Sequence, residues 1–292
     1  MEGAETSPKF IFYDLDAKRK SDRIDDFVFP DWDPKNERVV FLGPHDDDVL
    51  LGAGYLLLYC LREGAEVYVA IFCDGSGGYS RPEDKDTIVD VRKVETINAY
   101  SRVGVKKENI VRFDYPDFCL IDYLSLKLPT GQYASTHDMV EKFRKIRPTR
   151  LIVPNEYREH LDHRAASWIG SFTGPQVGDS VLADLGEPFR IRSYLMYSVW
   201  GDFSPEDALV KGRPVDLRGN LVIVASPDVE EMIADALREF KSQTKIIEGL
   251  VKKRQERLIN GRYLEVYMRY DPRPEMDLSP YKDAISEIDK GV

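Results

Sequence analysis

The stretch that decides the fold spans residues 38–72 and reads RVVFLGPHDDDVLLGAGYLLLYCLREGAEVYVAIF. Residues 39–42 are β-branched or apolar, and residues 49–61 then carry apolar side chains at helical density. Gly64 is placed to end that helix, and a second apolar run follows over residues 67–72. The stretch therefore predicts a strand, a tight turn, a helix and a second strand.

The same alternation of strands and helices continues toward the C terminus. The further predicted elements are a helix over about 87–102, a strand near 110–113, a helix over about 139–146, strands at 151–153, 194–199 and 221–224, and one long amphipathic helix from about 229 to 256. Strands separated by helices indicate a parallel sheet with helices on both faces. We therefore predict an α/β fold, a Rossmann-like three-layer sandwich with a mostly parallel central sheet.

The charge of the chain excludes one class of partner. Lys and Arg number 41 against 51 Asp and Glu, which gives a formal net charge of −10. Affinity for phosphate backbones comes chiefly from clustered Lys and Arg, so no nucleic-acid partner is predicted. No apolar run is long enough to cross a bilayer, so no transmembrane segment is predicted either.

Cysteine usage and the polar N terminus point to a reducing compartment. Residues 1–23 are polar and charged and do not show a secretory signal, so we expect a cytoplasmic protein. The three cysteines, Cys60, Cys73 and Cys119, are widely spaced and form no CxxC pair. That spacing favours reduced thiols over a disulfide framework or a thiolate zinc site.

Three of the four histidines fall in two short segments, each of which follows a predicted strand. The first segment is residues 45–48, HDDD, and the second is residues 160–163, HLDH. Loops at the carboxyl ends of parallel strands open on one rim, so the two segments are expected to face each other. Imidazole and carboxylate groups suit zinc, and a catalytic zinc ion typically has three protein ligands. His45, Asp48 and His163 would supply that set for one Zn²⁺ per chain.

The remaining polar residues of the two segments suit amide hydrolysis. Zinc would lower the pKa of a bound water toward neutrality, and Asp47 is placed to take its proton. His160 would stabilise charge on the carbonyl oxygen and protonate the leaving amine. Asp162 would fix the tautomer of one of the imidazoles.

The two segments resemble the signatures of the PIG-L/LmbE-like zinc de-N-acetylases. Residues 45–49, HDDDV, are similar to the HPDDE part of the family's (A/P)HPDDE motif, and residues 160–163, HLDH, are similar to its HxDH motif. The resemblance implies an LmbE-like fold and the following roles: metal ligands His45, Asp48 and His163, general base Asp47, and oxyanion and leaving-group assistance from His160.

Weaker resemblance extends over about residues 39–243. Arg92 and Glu95 are similar to the family's R..E helix, which precedes an LGV-like turn, here residues 103–105. Residues 114–117 are similar to its (Y/F)PDG segment, and residues 236–243 to a late helix that ends in Ser-Gln.

This weaker resemblance implies further contacts around the site. Arg92 and Asp117 are candidates for substrate contact or for support of the metal site. Arg158 stands two residues before His160, where some members have a tyrosine, and is a third candidate for substrate contact.

Two positions depart from the first signature. Asp46 stands in place of the proline, and Val49 in place of the final glutamate. Neither position is a metal ligand in the family, so zinc binding is expected to persist. The loss of the glutamate removes one support of the metal loop.

The resemblance predicts a hydrolase that removes the N-acetyl group from an N-acetylglucosamine-like moiety. Its partner would be a small N-acetylated saccharide or glycoconjugate, and a homo-oligomer is possible. Two alternatives stay open: an amidase that acts on another N-acylated small molecule, and a non-catalytic sugar-binding relative. Zinc content together with acetate release distinguishes the deacetylase from the non-catalytic relative, and a panel of N-acyl substrates distinguishes it from the other amidase.

Each motif also has a plainer interpretation. Asp46, Asp47 and Asp48 can act as the cap and first-turn charges of a helix. His160 and His163 can be exposed loop residues. The occurrence of both motifs, in this order and each after a strand, favours the metal site.

Several other residues are assigned structural roles. His137 is expected at a helix start or on the surface. Trp168 and Trp200 are expected in the core, with stacking on a sugar ring as the alternative. Gly52 and Gly54 do not form a GxGxxG turn, so no dinucleotide site is predicted.

No repeat, low-complexity segment or long linker divides the 292 residues. Residues 1–36 are rich in charge and are predicted to be an N-terminal extension that lies on the surface. A single catalytic α/β domain is predicted over residues 37–270, followed by a C-terminal tail over residues 271–292.

Overall fold

The computed structural model describes residues 9–206 and 216–290. The start of the predicted extension and the end of the predicted tail, residues 1–8 and 291–292, lie outside the described residues. The strands are β1 (Phe10–Asp14), β2 (Arg19–Ser21), β3 (Arg38–Gly43), β4 (Glu66–Cys73), β5 (Ile110–Tyr115), β6 (Arg150–Pro154), β7 (Ser193–Tyr197), β8 (Leu221–Ala225), β9 (Leu258–Ile259) and β10 (Arg262–Tyr270). The α-helices are α1 (Asp48–Arg62), α2 (Ile88–Arg102), α3 (Ser135–Ile146), α4 (Leu161–Trp168), α5 (Gly174–Gln176), α6 (Pro227–Leu237), α7 (Thr244–Arg254) and α8 (Ser279–Lys290).

The strands form one mixed sheet in the order β2-β1-β8-β10-β7-β6-β3-β4-β5, with β9 paired to β10. The five strands from β7 to β5 pair in parallel, as the alternating pattern predicts. On the other side of the sheet, the neighbours β2 and β1, β1 and β8, β8 and β10, and β10 and β7 all pair antiparallel. The predicted α/β sandwich is thus confirmed, and an antiparallel extension that was not predicted widens its sheet. Within the described residues, no helix combines the length and the apolar character needed to cross a bilayer.

The segment before residue 37 is part of this sheet, so the prediction of an arm lying on the surface is wrong for β1. β1 pairs antiparallel with β8, and Phe12 lies opposite Ile223. Alternate side chains of β1 point inward, and Phe10 and Phe12 are buried in the main hydrophobic core. The division of the chain at residues 36 and 270 stays a prediction.

The predicted long helix over residues 229–256 is two helices, α6 and α7, separated by a turn. Phe240 in this turn is fully buried. The Glu95 carboxylate accepts hydrogen bonds from the backbone N–H and the hydroxyl of Ser242, both at 2.7 Å. These tertiary contacts interrupt a pattern that is helical in sequence, because burial of a phenyl ring outweighs helix propensity.

Two glycines let α1 pack closely against its neighbours. A Cβ on Gly52 would lie 2.4 Å from the ring of Tyr197, and one on Gly54 would lie 2.6 Å from Ile233. Packing therefore accounts for both glycines.

Helix α1 is broken at Ala53, whose torsion angles are φ −135° and ψ 19°. In a regular helix the N–H of Tyr55 would bond to the carbonyl of Leu51. Here the N–H of Tyr55 donates to Glu265 at 2.9 Å, and the carbonyl of Leu51 accepts from Arg254 at 2.6 Å. Two buried charges thus replace the missing helical hydrogen bond.

We expect the replacement Arg254→Ala to lower the free energy of unfolding by about 3–5 kcal/mol, because it removes the cation that pairs with the buried carboxylate of Glu230 and leaves Glu265 with Arg257 at 3.6 Å. Arg254 Nη2 lies 2.7 Å from Glu230 and 3.4 Å from Glu265. Urea unfolding measures the change. The exposed neighbour Lys253 serves as a control, and Lys253→Ala should change stability by less than about 0.5 kcal/mol. Equal stabilities of the two variants would contradict the expectation.

Candidate metal and catalytic site

The two histidine segments meet at the carboxyl ends of the neighbouring strands β3 and β6. His45 follows β3, and His163 lies in the first turn of α4, after the loop that leaves β6. Asp48 Oδ2 lies 3.2 Å from His45 Nδ1 and 3.2 Å from His163 Nε2. One ligand atom from each of the three residues lies within 4.8 Å of the other two. The structure thus brings together the three side chains that the sequence assigns to a metal.

This group fits a divalent cation. Asp48 and His163 are buried, and His45 is about one-fifth exposed, at 21% of its side chain. Two imidazole nitrogens and a carboxylate oxygen are a typical zinc donor set. All three side chains stand at the ends of strands or the starts of helices, which hold them in place.

The outer nitrogen of each imidazole faces a buried carboxylate. His45 Nε2 lies 3.1 Å from Asp162 Oδ2, and His163 Nδ1 lies 3.4 Å from Glu159 Oε2. Carboxylates in this position orient metal-binding histidines and raise their basicity. Asp162 was expected in this position, whereas sequence reasoning missed Glu159. Its place four residues before His163, next to the HxDH motif, was the available signal.

Glu159 also anchors the loop that follows β7. Its Oε1 atom accepts the backbone N–H groups of Val199 at 3.2 Å, Trp200 at 2.9 Å and Gly201 at 2.9 Å. Burial tends to raise the pKa of the Glu159 carboxyl, but His163 and the N–H groups of Gly201 and Trp200 lower it below its ordinary value. Glu159 is therefore held as a carboxylate, with one oxygen toward His163 and the other toward the loop.

We expect Glu159→Gln to weaken metal binding at this group by about 10- to 100-fold, the usual cost of removing a carboxylate that faces a metal-binding histidine. Glutamine keeps the size of the side chain but not the charge that faces His163. Competition with a chromophoric chelator measures the affinity. Glu156→Gln is the matched control, because Glu156 bonds to Trp168 and does not line the cavity. Unchanged metal affinity in Glu159→Gln would remove Glu159 from this role.

Asp47 and His160 lie beside the group without belonging to it. Asp47 is the N-cap residue of α1, and its carboxylate lies 4.0 Å from Arg92 Nη2. Burial raises the pKa of Asp47, and Arg92 opposes that rise. His160 Nδ1 accepts the backbone N–H of Asp162 at 3.2 Å, so the neutral ring carries its proton on Nε2. Burial and the nearby His45 lower the pKa of His160, which favours this neutral form.

A cavity of about 380 Å³ opens over this group. Arg92 and Asp117 line it, as do Asp47 and His160. Arg158 does not line it; its side chain is exposed and its guanidinium lies over the ring of Tyr157 at 5.4 Å. The structure therefore brings Arg92 and Asp117 to the cavity and leaves Arg158 outside.

The lining side chains Arg92 and Asp117 are bonded to other protein groups. Arg92 donates from Nη1 to Gln243 at 2.9 Å. The carboxylate oxygens of Asp117 accept the backbone N–H groups of Gly75 at 2.9 Å and Gly77 at 2.8 Å. Asp117 thus fixes the conformation of the loop that follows β4, residues 74–78, which we call the glycine loop.

The two departures from the first motif have different surroundings. Asp46 is fully buried and bonds to Arg92 at 3.1 Å, to Thr96 at 2.7 Å and to Arg112. Its charge is therefore neutralised by two guanidinium groups. Val49 is fully buried in the hydrophobic core, so an apolar contact takes the place of the glutamate.

The remaining histidine and tryptophans lie partly as expected. His137 is stacked on Tyr133, with ring centroids 3.7 Å apart, and lies outside the metal group as predicted. Trp200 is not in the core: it is 48% exposed and lines the cavity, so the predicted core role is wrong. Trp168 is 37% exposed, so its predicted core role is wrong as well, and its Nε1 donates to Glu156.

The fold and the site together define the class of this protein: an α/β sandwich with a candidate His-Asp-His metal site at the carboxyl ends of its parallel strands. Residues 40–171 match the model of the PIG-L family, described as GlcNAc-PI de-N-acetylase. Diacetylchitobiose deacetylase of Thermococcus kodakarensis is 27% identical over 170 residues, which are 55% of this chain and 60% of that protein. The chain thus spans about three-fifths of the length of this curated relative.

Solved structures share the fold at low identity. N,N'-diacetylchitobiose deacetylase from Pyrococcus horikoshii superposes with a TM-score of 0.59 at 19% identity, over 82% of this chain and 85% of that one. GalB, the 4-carboxy-2-hydroxymuconate hydratase of Pseudomonas putida, also gives 0.59, at 14% identity, over 83% of this chain and 99% of that one. These likenesses establish the Rossmann-like α/β fold. A deacetylase and a hydratase share it, so the reaction has to be argued from the site.

Proposed function

We propose that this protein is a zinc-dependent hydrolase that removes the N-acetyl group from an N-acetylglucosamine-like moiety of a small saccharide or glycoconjugate. The observation that carries the proposal is the convergence of His45, Asp48 and His163 beside Asp47 and His160, which are not needed as ligands. The PIG-L family match and the deacetylase relative support the same reaction.

The residues around the cavity divide the work of amide hydrolysis. A zinc ion, when bound, supplies Lewis acidity and lowers the pKa of water. Asp47 accepts the proton of the attacking water at a carboxylate oxygen, and Arg92, 4.0 Å away, favours its ionised form at the start. His160 donates a hydrogen bond from Nε2 to the carbonyl oxygen as negative charge develops there. It also assists the departure of the amine, whose nitrogen takes up the proton that Asp47 received from the water as the C–N bond breaks.

Two further residues, Asp162 and Asp117, act through their neighbours. Asp162 orients His45 and holds the backbone N–H of Phe118 at 2.7 Å, so its part in catalysis is to position the site. Asp117 shapes the glycine loop that forms one wall of the cavity. Arg158 would meet only a portion of the substrate that extends beyond the cavity. The cytoplasmic location and the homo-oligomer stay predictions.

Elemental analysis combined with an acetate assay tests the proposal. The purified protein is offered N-acetylated saccharides and, in parallel, N-acetylated amines without a sugar. We expect bound zinc and acetate release from the saccharides. Acetate from the amines alone would favour an amidase of another class, and saturable sugar binding by the zinc-loaded protein without acetate would favour a non-catalytic relative. Either result overturns the proposed function.

A further inference from the structure

The mouth of the cavity is formed in part by three exposed apolar side chains. Phe118 is 62% exposed, Trp200 is 48% exposed and Ile246 is 51% exposed, and all three line the cavity. Single exposed apolar residues are ordinary on a protein surface, whereas a group around one cavity marks a binding surface. We call these three residues the apolar rim.

Phe118 is held in place by strong local constraints. Its backbone is left-handed, with φ at +64°, a conformation that bulky residues rarely adopt. Its N–H donates to Asp162 at 2.7 Å, and its ring meets the edge of His160 with centroids 4.8 Å apart. A Cβ on Gly77 would lie 2.3 Å from the Phe118 ring, so the ring rests on the glycine loop. Backbone strain of this kind collects at functional sites.

Trp200 is held by a second carboxylate of the site. Its N–H donates to Glu159 Oε1 at 2.9 Å, while Glu159 Oε2 faces His163 at 3.4 Å. Asp162 links Phe118 to His45 in the same way, at 2.7 Å and 3.1 Å. Each carboxylate thus joins the backbone of one rim residue to one candidate metal ligand, which holds the rim close to the metal group.

The polar lining offers few unpaired groups for the far end of a substrate. Arg92 is bonded to Asp46 and Gln243, and Gln243 also donates to the carbonyl of Gly78 at 3.1 Å. Both oxygens of Asp117 are taken by backbone N–H groups. The surface left for contact at the mouth is therefore mainly apolar, and burying it against an apolar group is favourable.

We propose that the apolar rim is a subsite for an apolar aglycone, so that the substrate is an N-acetylated amino sugar carrying an alkyl or aryl group. The inference rests on the proposed function. The acyl carbon has to lie beside Asp47 and His160, and the acetyl methyl group is short. The group that reaches the rim is therefore attached on the sugar side of the amide.

Matched glycosides test the subsite. Acetate release is measured with the methyl and the hexyl glycosides of N-acetylglucosamine. We expect kcat/KM to be at least about tenfold higher for the hexyl glycoside, about 1.4 kcal/mol, with most of the gain in KM. Phe118→Ala and Trp200→Ala should reduce this ratio to less than about threefold. Phe172→Ala is the control, because Phe172 is 64% exposed but does not line the cavity, and it should leave the ratio unchanged.

Three outcomes overturn the subsite: a ratio near unity in the unaltered protein, a ratio that the rim variants do not change, or a gain from N-octanoylglucosamine in place of the hexyl glycoside. Calorimetric titration of Asp47→Asn with the two glycosides gives a readout without turnover. Tighter hexyl binding with no acetate from any sugar would overturn the proposed function and keep the subsite. Acetate release without any preference would overturn the subsite alone.

Discussion

His163→Ala is expected to weaken zinc binding by more than about 100-fold and to abolish acetate release. The loss of affinity should exceed the roughly 10- to 100-fold that is usual when a group hydrogen-bonded to a metal ligand is removed, because His163 is itself a proposed ligand. His163 Nε2 and the carboxylate of Asp48 lie 3.2 Å apart in a buried site, and alanine supplies no donor there. A catalytic zinc ion has typically three protein ligands, so the loss of one leaves an incomplete site. Elemental analysis after dialysis and the acetate assay measure the two effects.

The fourth histidine of the chain provides the control. His137 is stacked on Tyr133 and pairs with Asp138 at 3.0 Å, outside the metal group. His137→Ala should therefore keep both zinc and activity. Full zinc retention by His163→Ala would exclude that residue as a ligand and leave the proposed mechanism without its metal site.

Asp47→Asn is expected to retain zinc and to lose activity by about 100- to 10 000-fold, the range that general acid–base catalysis contributes. Asparagine has the size of aspartate, and the Asp47 side chain makes no capping hydrogen bond to α1, so the helix should begin at the same place. It has no basic carboxylate, and no proton can be taken from the attacking water at that position. Zinc content and kcat, measured on one preparation, separate the two effects.

Asp184→Asn is the matched control, because Asp184 is an exposed aspartate in the short helical turn Ala183–Leu185. It should behave as the unaltered protein in both assays. Normal turnover by Asp47→Asn would assign the base to another group. A loss of zinc in that variant would instead make Asp47 a ligand.

The sequence by itself determined the parallel half of the sheet and the motif residues of the site. Residues 38–72 have apolar runs of strand and helix length separated by Gly and Pro. Such a pattern can be recognised from residues that are close together in the sequence, so these elements are predictable without the fold. The same alternation implied that His45 and His163 would meet, because loops at the carboxyl ends of parallel strands share a rim. Their meeting within one candidate metal group agrees with this expectation.

Only the tertiary structure decided which distant segments complete the sheet and the site. β1 belongs to the sheet because it pairs with β8, about 210 residues away, and no local pattern reports such a partner. The predicted helix over 229–256 breaks because Phe240 and Ser242 make contacts with other elements. Glu159 and Trp200 join the site for the same reason: a carboxylate next to one motif bonds to a loop forty residues later. Long-range hydrogen bonds and burial, which local periodicity does not encode, set these positions.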